Sequence, residues 1–472
     1  MTETQPLSLK FTQLEQADEI AQNSAPKIQR RAHYLRDRKD FDKHYSPRLV
    51  SIGPIHHGAK NLQLGEKYKR MWTAMYLKRT KQYAQTLYHM IASNIKQLKE
   101  LFAEDAIEAF ADDEKLSWML LVDGCALLQI LEEGDLDKPE ALKVKVGHLV
   151  LVWQDVLLLE NQLPCQVLQL LSGHDDARLL QTMKKFLQYH HLWPAKKQDK
   201  GVDNALVEEG CISVHIENND TLQGDMYFCS GAKGKKKDEN SKSAGADSPQ
   251  EPKVDESKES PPIHLLDQLR RSIVNDPPNQ KHQDPEHMEV TYRNIEELRT
   301  VGIKLKPNES GRLTDISFSY RWWCLCADLK LPSITVDDNT APTFLNLIAY
   351  EMCPDFKNKH EICSFVAFMD SLIDHPDDVK VLRKSKVLRN ALGSDEEVAK
   401  LFNTMSTDLL SDTRSYSHVR IPIEKHSNNK WRTWITLAYH TYFSNPWAII
   451  AFLAAAFALV LTFVQTWFTI HP

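Results

Sequence analysis

The sequence predicts a mainly α protein: a large helical region ahead of one C-terminal transmembrane helix, with a small antiparallel β-meander in its second half. Three observations lead there. Apolar side chains return every three to four residues through most of the first 190 positions, short β-rich pieces cluster near residues 303–336, and residues 447–470 carry no charged side chain. At 1.5 Å per residue that last stretch is roughly 36 Å of helix, enough to cross a hydrocarbon core of about 30 Å.

Taken in order, residues 1–44 read as a partly flexible N-terminal segment and 45–230 as a helical first half. Within it, Tyr68, Met71, Trp72, Met75, Leu87, Ile91, Leu98 and their neighbours suggest one long amphipathic helix over residues 66–102. Residues 116–134 form a second helix, and 141–173 a third, apolar on most of its circumference, with a break at Pro164. Residues 231–262 hold seven Lys and seven acidic residues with almost no apolar side chain, so they offer nothing to offset the entropy of ordering and read as a disordered charged linker. The second half, 263–430, opens on a short helix, then a capped one at Asn294 that ends at Gly302. The β-meander follows, and helices resume at Thr343, with Ser394 and Glu397 placed for a capping box. Residues 431–446 are juxtamembrane, and 447–470 the span, with Trp447 and Ile470 at its ends and Gln465 its one amide side chain.

Lys425, Lys430 and Arg432 lie before the span and no Lys or Arg lies after it, which predicts a cytosolic soluble region. The first twenty residues hold no apolar core of signal-peptide length, and eight scattered cysteines suit a reducing compartment. Two glycosylation triplets, at Asn219 and Asn308, point the other way, although such triplets arise often by chance. A net charge of −6 argues against a nucleic-acid partner.

Few residues invite chemistry. His56 and His57, in a loop shaped by Gly53, Pro54 and Gly58, lack the second half of a metal site, so a structural or partner-contact role is expected and no metal is assigned. Asp155, Glu160, Asn161 and Gln162 interrupt an apolar helix; read as one helix, the two carboxylates sit about 140° apart, and a buried hydrogen-bond network is expected in place of acid–base catalysis. Asp123, Gly124 and Cys125 read the same way. Trp322 and Trp323 should cover one end of the small sheet. No catalytic signature appears, so no enzyme activity and no cofactor is expected; the competing reading is an unrecognised enzyme using Asp155 and Glu160.

The segments Ser51–Gly58, Val122–Cys125, Asp155–Pro164, Leu265–Asp267, Glu297-Leu298 with Val301–Ile303, Asn346–Glu351, Gly393–Val398 and Asn445–Trp447 together resemble the plant family of domain-of-unknown-function-247 proteins. Departures are Ala126 and Cys165, where an aromatic is usual, and Ser385-Lys386, where a glycine is expected. The resemblance implies a helical fold with one C-terminal span and no established catalysis. Some grass members act in pollen self-incompatibility, and others are linked to defence or growth. It therefore implies a membrane-anchored recognition or signalling protein, or a plain scaffold. The expected partners are a protein or secreted peptide ligand, and a second copy or a paralogue in an oligomer.

Overall fold

The computed structural model describes residues 25–36, 39–173, 175–188, 211–214, 226–229, 261–274, 293–308, 312–321, 326–357, 360–407, 415–428 and 446–470, with isolated positions between them. The 231–262 linker (except Pro261 and Pro262), Asn219, Trp322 and Trp323, and the juxtamembrane stretch before Pro446 lie outside the described residues.

The principal helices in chain order begin with α1 (Gln63–Thr80), α2 (Ala84–Ser93), α3 (Ile95–Glu100) and α4 (Asp113–Glu133). The single helix expected over 66–102 is therefore three. Lys81 takes a left-handed conformation (φ 57°) and returns its N–H to Leu77, which stops α1. Asn94 leaves helical geometry and turns its side-chain amide onto the Met90 carbonyl, which separates α2 from α3. Next come α5 (Val146–Asp155) and α6 (Cys165–Ser172), so the helix expected over 141–173 also divides. The break begins at Asp155, nine residues before Pro164, and Glu160 lies in the connecting turn. Asp155 and Glu160 thus never share a helix, and the angular argument against their convergence does not apply.

α7 (Asp176–Leu187) precedes an antiparallel pair, β1 (Cys211–Val214) and β2 (Met226–Cys229). α8 (Leu265–Ile273) and α9 (Ile295–Thr300) follow; Asn294 caps α9 through the Glu297 N–H at 3.0 Å, as expected. The small sheet stands where the sequence placed it, with order β3 (Ile303–Asn308), β5 (Cys326–Pro332), β4 (Ser317–Arg321). It is mixed, because β3 runs parallel to β5 and only β4 pairs with β5 antiparallel. β6 (Ile334–Val336) leads into α10 (Thr340–Glu351) and pairs in parallel with the later β7 (Leu388–Asn390). The remaining helices are α11 (Glu361–Leu372), α12 (Pro376–Lys384), α13 (Asp395–Met405), α14 (Ser417–Ser427) and α15 (Pro446–Ile470).

Ser394 caps α13 through the Glu397 N–H, while the Glu397 carboxylate reaches Gly393 one residue further out than a capping box requires. Lys386, where the family resemblance leads one to expect glycine, holds a left-handed φ of 58°, a conformation that costs a residue with Cβ roughly 1 kcal/mol.

The chain forms two compact units that cross the sequence halves: one takes residues 1–273 and 337–359, the other 274–336 and 360–472. α8 and α10 therefore join the first unit, although they follow the linker in sequence. Its core packs α1 and α2 on α4, with Trp72, Tyr76, Leu120, Leu128, Val152 and Leu168 all buried. Trp72 and Trp153 each spend their indole N–H on a buried carbonyl, of Leu142 and Gly134, so neither ring leaves a donor unmet. In the second unit Phe365, Phe368, Val379, Leu382 and Phe402 form the helical core, and Ile303 and Leu329 fill the inner face of the sheet. α15 is different in kind: none of residues 450–467 is buried, and among the described residues it is the one helix long and apolar enough to cross a membrane.

Candidate functional site

The polar residues singled out from the sequence converge in the first unit, around the extended segment 48–53. Among the described residues that segment pairs with no strand, so its backbone groups need side-chain partners. Asp155, at the end of α5, accepts the N–H groups of Arg48, Leu49 and Val50 at 2.9, 2.7 and 2.8 Å. Asn161 accepts the Ile52 N–H at 2.7 Å and donates to the Val50 and Asp155 carbonyls. Gln162 donates to the carbonyls of Val156 and Leu158, closing the turn, and accepts the Leu266 N–H from the start of α8. One turn of chain thus holds two distant segments by side-chain amides and carboxylates that mimic a sheet ladder.

Gly53 ends the held segment. Its φ is 81° and a Cβ there would stand 2.5 Å from the Gln162 carbonyl oxygen, so both conformation and space exclude a larger residue. Its N–H goes to Asp123 at 2.9 Å. Gly124, the next residue on α4, faces α6 so closely that a Cβ would meet Leu171 at 2.3 Å.

Asp123 also anchors a buried ion cluster. The Lys69 ammonium, fully enclosed, lies 2.6 Å from Asp123, 2.7 Å from Glu66 and 3.3 Å from the Ser51 hydroxyl, and Ser51 donates to Glu66 at 2.9 Å. Burial disfavours the ammonium, but the two carboxylates outweigh it and hold Lys69 above the ordinary lysine range. Glu160 takes the Arg31 N–H at 3.0 Å and lies 3.3 Å from His56 Nε2. Burial works against its charge, yet His56 and the Arg31 N–H hold its carboxyl below the ordinary glutamate range. His57 points away, exposed, with its ring against Phe110, and Gly58 beside it is exposed at a φ of 77°. Pro164 occupies the N-cap position of α6 without a capping hydrogen bond, and the Cys165 N–H behind it donates to the Ile263 carbonyl at 2.8 Å.

A second group ties α10 into the same unit. Asn346 accepts the Leu159 N–H at 2.8 Å and donates to the His44 and Pro342 carbonyls. Glu351 pairs with Arg270 of α8 at 2.8 Å. Asp267 receives Tyr350 at 3.1 Å, the Ile263 N–H at 3.0 Å and Arg271 at 2.9 Å, while His264 Nδ1 accepts the Asp267 N–H.

The polar groups here are largely engaged with one another. The Asp155 carboxylate, 1% exposed, is occupied by three backbone donors, and burial outweighs them to push it up to about 6. Burial pushes the Cys125 thiol up to about 12, far from a reactive thiolate. Among the described residues no three His, Cys, Asp or Glu side chains gather as metal ligands.

Sequence reasoning brought His56, Asp123, Asp155, Glu160, Asn161, Gln162, Asn346 and Glu351 into view, and Ser51 and Asp267 only as members of the matching segments, but gave no site role to Arg31, Glu66, Lys69, His264 and Arg270. For Lys69 a signal existed: it occupies the same face of α1 as Gly65, Trp72, Thr73 and Tyr76, where a charged residue needs a buried partner.

Two proteins of Arabidopsis thaliana align along nearly the whole chain. The UPF0481 protein At3g47200 is 25% identical over 450 residues, covering 90% of this chain and 82% of that protein. The putative UPF0481 protein At3g02645 is 24% identical over 472 residues, covering 89% and 86%. No solved structure matches the chain. The model of DUF247, described as a plant protein of unknown function, matches residues 28–461, from buried Ile28 into the apolar terminal helix, and the chain belongs to that family.

Proposed function

We propose that this protein is a membrane-anchored recognition or signalling component that acts through protein–protein contact, its helical region held on the cytosolic side by α15. The observation that carries this reading is the terminal helix: an apolar surface of that length, uncovered by the chain, is costly in water and at home in lipid. Lys425 together with Lys430 and Arg432 supports the cytosolic side. Confinement to a membrane raises the effective concentration of a binding module for partners on the same surface without any new contact. The saturated network around Asp155 favours a scaffold over a catalytic centre, since a general acid or base needs a lone pair or proton facing substrate. The self-incompatibility role of some grass relatives is a narrower form of the same reading, with a secreted peptide or a paralogue as partner.

Proximity labelling from the full chain, compared with a chain ending at residue 446, tests the proposal. A reproducible set of neighbours that depends on the span is expected. An identical set from the truncated chain, or none from either, would contradict it and leave a passive scaffold.

A further inference from the structure

α1 carries a basic stripe on its outer face. Lys67, Arg70, Ala74, Lys78 and the capping Lys81 are all exposed, and at 3.6 residues per turn they fall within about 80° of arc along roughly 21 Å of helix. The one acidic residue of α1, Glu66, is turned inward onto Lys69 and Ser51. None of the four cations has an ion pair or side-chain hydrogen bond among the described residues, whereas the neighbouring Arg79 pairs with Glu132. Half-buried Met71 and Met75 border the stripe on one side. In a chain of net charge −6, four unpaired cations in line on a rigid element are a local reversal of sign.

The geometry points to this face of α1 as a docking surface for an anionic lipid membrane. A straight row of cations around the small Ala74, with no polar pocket between them, matches a plane of phosphates better than a single ligand. The soft thioethers at its border suit the boundary between headgroups and acyl chains. The inference rests on the anchored reading above, because α15 keeps a membrane within reach of every copy. Each cation near an anionic surface strengthens association roughly fivefold.

The experiment is lysine footprinting of the full chain reconstituted in phosphatidylcholine vesicles with and without about a third phosphatidylserine, with acetylation read by mass spectrometry. Lys67, Lys78 and Lys81 are expected to lose at least fivefold in labelling rate when phosphatidylserine is present, while Lys115 on α4, 76% exposed, stays unchanged. In a K67E/R70E/K78E variant the protection at Lys81 should vanish. Equal labelling in both vesicles overturns the proposal. So does protection by polyglutamate, but not by phosphatidylserine, which would assign the stripe to an acidic protein. Carbonate resistance of the same vesicles reports the anchor separately, so a failed anchor is told apart from a failed docking face.

Discussion

His264 shows how tightly the interior fixes protonation. It is 1% exposed and its Nδ1 must stay unprotonated to accept the Asp267 N–H. Burial lowers it to about 4, with the nearby Asp267 carboxylate only partly opposing. The folded pKa lies below the unfolded value of about 6.5, so between those limits the unfolded chain binds a proton that the folded chain refuses. Stability from this residue is whole above pH 6.5 and falls as pH drops towards 4, by about 3 kcal/mol. The urea midpoint of the full chain in detergent, read at pH 7.5 and 4.5, should fall on acidification, and His264→Asn, which keeps an acceptor, should flatten much of that fall. Equal acid losses in both proteins would contradict the assignment. Nothing in the sequence around His264 announced this. Its partners lie on the same turn and on α10, nearly ninety residues away, and only the fold brings Tyr350 to Asp267.

At the scale of elements, side chains replace strand pairing. Segment 48–53 is held by Asp155, Asn161 and Asp123, and the turn carrying Asp155 and Asn161 is closed in part by Gln162. Asp155→Ala leaves the buried N–H groups of Leu49 and Val50 and the half-buried one of Arg48 unmet and should cost about 3 kcal/mol, lowering the melting temperature by roughly 6–12 °C. A variant that melts like the wild type yet loses a biological activity would instead favour a chemical role for Asp155. The polar cluster at 155–162 was legible because polar residues in so apolar a run demand buried partners. Its geometry was not: an apolar run reads as continuous helix, and only the turn between α5 and α6, stabilised by Asn161 and Gln162, reveals that Glu160 belongs to Arg31 and His56. The same difficulty hid the breaks at Lys81 and Asn94, since periodicity persists across interruptions of three residues and of one. The mixed sheet escaped for a related reason. Short alternating strands look alike whichever way they pair, and β3 reaches β5 past β4.

For the whole molecule, the long apolar terminal helix was the clearest feature in the sequence, because its length and absence of charge are read directly from the residues. The division into units was less so. α8 and α10 are separated from the first half by a charged linker or a stretch of sheet, yet Arg270–Glu351 and Asn346 bind them into it. The marked polar residues of this chain thus hold its own segments together. The measurement that bears most directly on a membrane-tethered, cytosol-facing recognition protein is protease protection of the full chain made with microsomes, with glycan mass read at Asn219 and Asn308. Carbonate-resistant association, digestion of residues 1–430 by added protease, and no glycan are expected. Protection with glycan at either site would place the helical region on the other side of the membrane and contradict the cytosol-facing reading.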